Sequence, residues 1–186
     1  MKGFEIVVGV TGGIAVFKTA ALVSQLVQAG AGVTVVMTES AESFVGPTTF
    51  AALTGRRVLR KVFEERESLG AHINTAENAH LMCVAPATAN FLGKAANGIA
   101  DDLLSTLYLS FAGPILLAPA MNTVMWEKPS VQRNLGQLLS DGVKTVGPDE
   151  GWLSCRRSGV GRMASPEAIF QAIRQTLENT AAPIRD

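Results

Sequence analysis

The segment Thr11-Gly12-Gly13-Ile14-Ala15 joins a short apolar run to a stretch with helical periodicity. Glycines let the backbone come close to an anion, and the first N–H groups of a helix are free to bind one. The segment differs from the G-x-G-x-x-G pattern of dinucleotide-binding folds, and the second apolar run is followed by the hydroxyl-rich Thr38-Glu39-Ser40. A mononucleotide phosphate therefore fits this turn better than a dinucleotide. A plain strand–helix turn is the competing interpretation.

Other residues with reactive or polar side chains lie later in the chain. The segments 85–90 and 119–122 end in Asn90 and Asn122, each directly after an apolar run. His72 carries an imidazole that could accept a proton near neutral pH, although a lone histidine is more often a surface residue. Cys155 lies in a segment rich in glycine and arginine and is predicted to be reactive, whereas Cys83 has the pattern of an inert core residue.

The elements that must position these residues alternate between strands and helices. Predicted strands cover 4–10, 33–37, 81–85, 114–118 and 144–146, and predicted helices cover 14–29, 47–54, 87–96, 102–110, 131–140 and 166–177. The order predicts an α/β fold in a single domain, a doubly wound parallel sheet of the Rossmann or flavodoxin type in a three-layer sandwich. We expect this domain to cover 1–180, with 181–186 as a frayed tail.

Three of the polar segments fall where predicted strands end: 11–15, 85–90 and 118–122. Ligands of doubly wound sheets bind beyond the carboxyl ends of the strands, so these segments are expected to share one site. Residues 56–72 are predicted to form an irregular connection, and 147–163 a loop or flap. Pro86 and Pro119 are expected to end their strands.

Composition narrows the possible functions. The 16 basic and 16 acidic residues cancel, which argues against a nucleic-acid partner, and no apolar stretch is long enough to predict a membrane span. Two distant cysteines indicate neither a disulfide framework nor a metal site, and a cytoplasmic location is expected. The apolar share of 47% suggests that some surface is covered in an oligomer.

The order of motifs resembles the homo-oligomeric flavin-containing cysteine decarboxylases, which include phosphopantothenoylcysteine decarboxylases and peptidyl-cysteine decarboxylases. The resemblance runs from about Phe4 to Met163 and is carried by an ordered series of short motifs. These motifs are Gly12-Gly13-Ile14-Ala15 with Lys18, Thr38-Glu39-Ser40-Ala41 with Phe44, His72-Ile73, Ala85-Pro86-Ala87-Thr88-Ala89-Asn90 with Lys94, Gly98-Ile99-Ala100-Asp101, Leu103-Leu104-Ser105, Pro119-Ala120-Met121-Asn122 with Met125-Trp126, Leu153, Cys155, and Gly159-Val160-Gly161-Arg162-Met163.

The resemblance implies flavin mononucleotide (FMN) as the cofactor and a homotrimer or homododecamer as the assembly. It implies His72 as the catalytic base, Asn122 as the residue that holds the substrate carboxylate region, and Cys155 as a proton donor. The residues it places around the flavin are Gly12, Gly13, Ile14, Ala15, Thr38, Ser40, Phe44, Thr88, Ala89, Asn90, Ser105 and Ala120. The residues it places around the substrate are Met121, Asn122, Leu153 and Ser154.

The chemistry implied is oxidative decarboxylation of a cysteine with a free carboxylate. The flavin takes a hydride equivalent from the cysteine Cβ, and CO₂ then leaves with its electrons delocalised onto the thioaldehyde sulfur. Two substrates fit. A peptide that ends in cysteine is favoured by two departures from the coenzyme A relatives. The flap reads Ser154-Cys155-Arg156 where those relatives usually have Ala-Cys-Gly, and the residues after His72 have lost their basic character. The presence of Cys155 favours the alternative substrate, phosphopantothenoylcysteine.

Two further classes are weaker alternatives. A flavin prenyltransferase would share the fold but would not be expected to contain His72 or the Pro119–Asn122 motif. A non-catalytic flavin-binding regulator would typically have lost one of the catalytic residues, whereas His72, Asn122 and Cys155 are all present.

Overall fold

A computed structural model gives the fold of the chain and describes residues 1–61 and 71–179. The side chains of residues 71–74 lie outside this description, as does the predicted frayed tail at 181–186. The main sheet contains β1 (Glu5–Val10), β2 (Gly32–Met37), β3 (Leu81–Ala87), β4 (Ile115–Pro119) and β5 (Lys144–Thr145). The helices are α1 (Val16–Gln28), α2 (Glu39–Glu42), α3 (Pro47–Thr54), α4 (Ala71–Asn78), α5 (Ala89–Ala96), α6 (Leu103–Ser110), α7 (Thr123–Trp126), α8 (Pro129–Ser140) and α9 (Pro166–Glu178).

All strand pairs of the main sheet are parallel, and their order is β2-β1-β3-β4-β5. The chain steps from β1 to one side to form β2 and then returns to the other side of β1 to form β3. The strand order therefore reverses between β1 and β3. The helix that follows β1 packs on one face of the sheet and the helix that follows β3 packs on the other, which opens a crevice at the carboxyl ends of these two strands. The predicted doubly wound α/β fold is therefore confirmed.

Each face of the sheet carries its own hydrophobic core. Along β1, Ile6 and Val8 face one core and Val7 faces the other, as expected for a strand covered on both sides. Helices α1, α3 and α9 cover the first face, where Phe50 is fully buried. Helices α5, α6 and α8 cover the second. The apolar periodicity of these helices thus fixes the sheet between two helical layers.

The strand predicted to end at Pro86 instead continues to Ala87. Pro86 is tolerated because the β3–β4 register shifts between Val84 and Ala87, so the ladder does not require an N–H from the proline. Likewise, β4 includes Pro119, the first residue predicted to lie beyond it. At its other end, β4 begins at Ile115.

Residues 147–163, predicted to be a loop, contain an antiparallel hairpin formed by β6 (Asp149–Trp152) and β7 (Ser158–Arg162). We call residues 149–162 the flap. Its glycines interrupt the alternation of apolar and polar residues by which a strand is recognised, which is why the sequence did not predict strands here. Within the predicted irregular connection, Leu59 forms an isolated parallel bridge with Val36.

Candidate functional site

A cavity of about 980 Å³ opens at the carboxyl ends of β1, β2, β3 and β4, with the flap along one side. Its volume lies at the upper end of the range for small-molecule and cofactor pockets. Three groups of residues line it. They are the sheet-end turns (Thr11–Ala15, Thr38–Ser40, Thr88–Phe91, Ala120–Asn122), the flap and the residue that follows it (Trp152–Cys155, Gly161–Met163), and residues from helices and a connection (Phe17, Lys18, Lys94, Asp101, Asp102, Met125).

A buried threonine joins the turns after β1 and β3. The Thr11 hydroxyl donates to the Pro86 carbonyl oxygen at 2.6 Å and accepts from the Thr88 backbone N–H at 3.1 Å. Thr88 in turn caps α5, since its Oγ1 accepts from the Phe91 N–H at 3.4 Å. Because a hydroxyl that is buried needs partners, this network holds the two turns in one arrangement.

The turns after β1 and β2 touch through Gly12. A Cβ atom at Gly12 would overlap the Cβ and backbone of Ser40, so any other residue would force these turns apart. Thr38 also ties the end of β2 to β1, because its N–H donates to the Val10 carbonyl at 3.0 Å. Gly12 is therefore needed for packing between turns, in addition to any approach to a ligand.

Asn122 and the flap meet at the carboxyl end of β4. The Asn122 Oδ1 accepts from the Met125 N–H at 2.9 Å and caps the short helix α7, which fixes the side-chain orientation. Within the part of the chain described, its Nδ2 group has no protein partner and remains a donor beside the cavity. The flap docks on the preceding residue, since the Met121 N–H donates to the Gly161 carbonyl at 2.9 Å.

Cys155 lies in the turn of the flap. Two backbone hydrogen bonds of 2.9 Å close this turn. The Arg156 N–H donates to the Leu153 carbonyl, and the Leu153 N–H donates to the Arg157 carbonyl. Arg156 has a φ of 60°, a left-handed conformation that glycine adopts without strain. The turn leaves Cys155 exposed on the cavity lining.

Most of the residues predicted around flavin and substrate line this cavity. The members are Gly12, Gly13, Ile14, Ala15, Thr38, Ser40, Thr88, Ala89, Asn90, Ala120, Met121, Asn122, Leu153, Ser154 and Cys155. Two others do not line it. Phe44 is 48% exposed on the surface beyond α2. Ser105 is 1% exposed and lies behind Asp102, to whose Oδ1 its hydroxyl donates at 2.9 Å.

Of the two histidines and Cys83, the structure assigns a packing role to His80 and Cys83 and does not describe the side chain of His72. His72 belongs to α4, but its side chain lies outside the described residues, so its role as base remains a prediction. His80 is structural: its Nδ1 accepts from the Glu5 N–H at 2.9 Å and its ring packs edge-on against Phe4. Cys83 is fully buried, and burial raises the pKa of its thiol to about 12, which makes it an inert core residue.

The structure shows a charged cluster on the cavity lining that was not predicted from the sequence. Lys94 Nζ lies 2.6 Å from Asp101 Oδ1 and 2.7 Å from Asp102 Oδ2. Burial alone would raise the pKa of Asp102, but hydrogen bonds from Lys94 and Ser105 hold it below its ordinary value. The adjacent carboxylates of Asp101 and Asp102 were the signal in the sequence that could have predicted it. Among the described residues, no group of three metal-binding side chains occurs.

Two further cations line the cavity, Lys18 on α1 and Arg162 on the flap, and no role was predicted for either from the sequence. Lys18 Nζ donates to the Met163 carbonyl at 3.2 Å. Burial and the nearby Arg162 guanidinium lower the pKa of Lys18, against a smaller opposing influence of Asp149. Arg162 lies 3.9 Å from the Asp149 carboxylate.

The family model described as Flavoprotein matches residues 1–178. The chain belongs to the flavoprotein family. Among curated proteins, this flavoprotein is 50% identical to the coenzyme A biosynthesis bifunctional protein CoaBC of Bacillus subtilis, over 94% of its own length and 44% of the relative. It therefore spans about half the length of the curated relatives it matches.

Solved structures give the same assignment. A cysteine-to-serine mutant of PPC decarboxylase, complexed with pantothenoylaminoethenethiol, superimposes with a TM-score of 0.85 at 27% identity, covering 96% of this chain and 100% of that one. The FMN-dependent cysteine decarboxylase SpaF superimposes with a TM-score of 0.79 at 34% identity, covering 94% and 98%. The predicted family of flavin-containing cysteine decarboxylases and the predicted cofactor, FMN, are thereby confirmed.

The cavity of this flavoprotein fits the cofactor chemically. Ala15 at the start of α1 provides no side-chain cap. The Val16 and Lys18 N–H groups donate to the Gly13 and Ala15 carbonyls, whereas the Phe17 N–H has no backbone acceptor within the described residues and is available to a phosphate. The Ser40 hydroxyl is without a protein partner in the described chain and lines the same wall. A Cβ at Gly13 would lie 3.6 Å from the nearest protein atom, which leaves room for a ligand there.

No helix in the described ranges is long and apolar enough to cross a membrane.

Proposed function

We propose that this flavoprotein decarboxylates phosphopantothenoylcysteine with FMN as cofactor. The observation that carries the proposal is the meeting of Asn122 and Cys155 at one cavity, the first on a sheet-end turn and the second on the flap. An amide donor suits a carboxylate and a thiol can donate a proton, and this reaction needs both. The similarity to CoaBC of Bacillus subtilis supports the same substrate.

The cofactor would be held by the wall that the sheet provides. The turn from Gly12 to Ala15, with the hydroxyls of Ser40 and Thr88, supplies donors for its phosphate. Ala89 and Asn90, at the start of α5, line the part of the cavity where we place the flavin ring. When bound, FMN supplies a hydride acceptor for the substrate cysteine Cβ and returns the hydride once CO₂ has left, so the whole reaction releases CO₂ alone.

The remaining steps belong to side chains of the protein. The Nδ2 group of Asn122 orients the substrate carboxylate because its Oδ1 is already engaged by the Met125 N–H. Cys155 gives a proton to the carbon of the enethiolate that has lost CO₂, while the returned hydride goes to the carbon that bears sulfur. His72 would take the proton from the substrate thiol, as the resemblance to the family implies.

Decarboxylation of a peptide that ends in cysteine is the second candidate. It is supported by the structure of EpiD with its substrate peptide DSYTC, which superimposes with a TM-score of 0.80 at 26% identity. The identity to CoaBC is higher, and the peptide reaction does not return its hydride, so Cys155 would have no proton to deliver. Phosphopantothenoylcysteine is therefore better supported than the peptide substrate that the flap sequence favoured.

The assembly is also a proposal. Ile14, Phe17 and Trp152 border the cavity and are each more than half exposed. A homotrimer, or a dodecamer of trimers, would cover such apolar side chains and complete the site. Light scattering of the purified protein tests this directly; a monomer at working concentration would contradict it.

Mass spectrometry of reactions with both substrates tests the function. Phosphopantothenoylcysteine is expected to lose about 44 Da, which is CO₂ alone, whereas an oxidised peptide would lose about 46 Da. Cys155→Ser should stop at a product that is still oxidised, while Ser158→Ala, an exposed flap change off the cavity lining, should turn over normally. Turnover of the peptide alone would make the second candidate correct.

A further inference from the structure

The cations that line the cavity differ in how well they are neutralised. Lys94 faces two carboxylates, at 2.6 Å and 2.7 Å, so that cluster already carries an excess of negative charge. Lys18 has a backbone carbonyl as its partner, and in the described part of the chain no carboxylate lies within 4 Å of its Nζ. Arg162 has Asp149 at 3.9 Å, beyond hydrogen-bond distance. The Lys18–Arg162 end of the cavity therefore has positive charge to spare.

The position of Lys18 makes that excess unfavourable unless an anion is present. It stands in the first turn of α1, a helix of 13 residues whose first turn contains no acidic residue. The positive end of a helix dipole repels a cation there, and Arg162 repels it as well. The lowered pKa of Lys18 reflects burial first and this guanidinium second. A dianion between the two side chains would offset the repulsion of Lys18 by the helix dipole and by Arg162.

Arg162 reaches the cavity from the flap. A Cβ at Gly151 on the paired strand would lie 2.8 Å from the Arg162 Cζ and Nη1 atoms, so the absence of a side chain there leaves space for the guanidinium. The arginine is thus carried by the same hairpin that presents Cys155 and Leu153 to the cavity. This position assigns it to the substrate side of the cavity.

We propose that Lys18 and Arg162 together bind the phosphate monoester of the substrate and so select phosphopantothenoylcysteine over pantothenoylcysteine. The inference rests on the proposed function. A guanidinium offers paired N–H donors to phosphate oxygens and an ammonium adds a mobile charge, a combination suited to a terminal phosphate. It also supplies the basic character that the residues after His72 lack.

The flavin carries a phosphate too, so the two sources must be separated. The sheet-end turns already provide the cofactor with N–H and hydroxyl donors from Gly13, Ser40 and Thr88. Those donors lie on the wall formed by the sheet. Lys18 follows that wall on α1, but Arg162 belongs to the flap, so a phosphate held by both side chains must lie toward the flap. The substrate phosphate is therefore the occupant that we assign to the cation pair.

The test compares two substrates that differ only in the phosphate. Lys18→Met, Arg162→Gln and the double variant, each reconstituted with FMN, are assayed with phosphopantothenoylcysteine and with pantothenoylcysteine. Each single change should lower kcat/KM for the phosphorylated substrate by about 10- to 100-fold, as expected for charged hydrogen bonds, and leave the other substrate nearly unchanged. Arg133→Gln removes an exposed cation from α8 outside the cavity lining and should affect neither.

Each outcome decides something. Equal losses on both substrates would overturn the proposal, as would preference for the phosphorylated substrate that survives the double change. Loss of bound flavin in the variants, measured by its absorbance and by FMN titration, would reassign the pair to the cofactor phosphate. Failure of the unaltered protein to decarboxylate either compound would instead reject the proposed function. Should the variants be inactive, calorimetric binding of 4′-phosphopantetheine against pantetheine to the FMN-loaded protein must show the same selective loss.

Discussion

The two walls of the cavity are built differently. The wall formed by the turns after β1, β2 and β3 rests on the sheet, where the buried Thr11 hydroxyl and the contact of Gly12 with Ser40 lock neighbouring turns together. The flap is an exposed hairpin attached at a turn after β4, chiefly through the backbone at Gly161. The first wall forms together with the fold, whereas the second can be disturbed while the fold persists. Cofactor binding and substrate turnover should therefore be separable by mutation.

The largest effect is expected for Gly12→Ala. The new methyl group would overlap the backbone and Cβ of Ser40, and backbone cannot move aside without separating two strands. We expect a loss of about 3 kcal/mol in the free energy of unfolding, together with weak or absent flavin binding. Chemical denaturation and flavin absorbance measure the two. Gly136→Ala on α8, where a Cβ meets no atom within 4 Å, is the matched control.

Gly161→Ala tests the other wall. Gly161 has a φ of 136°, and a Cβ there would overlap the Met121 carbonyl, so the flap should lift from its turn. Conformational strain of about 2 kcal/mol predicts roughly a 30-fold fall in kcat/KM with flavin retained. Steady-state kinetics on the yellow protein measure this. A variant that loses flavin as readily as Gly12→Ala would show that the walls are not independent.

Lys94→Met tests the charged cluster that Lys94 forms with Asp101 and Asp102. The pKa of Asp102 is held below its ordinary value, so the cluster stabilises the fold at pH values above the pKa of the unfolded carboxyl and loses this contribution as the pH falls through the folded value. The variant should be less stable by about 1 kcal/mol near neutral pH, and the difference should shrink in acid. Urea unfolding at several pH values checks it; a difference independent of pH would contradict the assignment.

Arg156→Gly should give the smallest effect, and a favourable one. The flap turn holds Arg156 at a φ of 60°, which costs a residue with a side chain about 1 kcal/mol relative to glycine. Some of this gain is lost to the greater flexibility of glycine in the unfolded chain, so stability should rise by about 0.5 kcal/mol. Thermal unfolding measures the change. Arg157→Gly, one residue further in the same turn, should not stabilise.

The fold was largely predictable because strands buried on both faces appear as apolar runs between turns. The sheet-end location of the site followed from the same reasoning. Pro86 was misjudged because a register shift removes the need for its N–H, which no local pattern reveals. The flap strands were missed because the glycine positions that let the hairpin dock also erase strand periodicity. Ser105 and Phe44 could not be placed from spacing alone, since which side of a helix or turn faces a cavity depends on tertiary packing.

The charged residues show the same limit. Lys18 and Arg162 are 144 residues apart in sequence, and only the folded chain brings them to one end of the cavity. Lys94 and the two aspartates lie close in sequence, but their pairing depends on α6, whose capping serine turns Asp102 toward the lysine.

The flap is attached to the turn after β4 by a backbone hydrogen bond, in which the Met121 N–H donates to the Gly161 carbonyl. A bond of this kind does not depend on the identity of the side chains in the hairpin turn. Replacements at Ser154 or Arg157 could thus alter what the hairpin recognises while leaving its attachment intact. New specificities should be accessible on this scaffold by single substitutions, and a library at residues 154, 156 and 157, with Cys155 kept, is a sensible starting point for engineering decarboxylases with other thiol substrates.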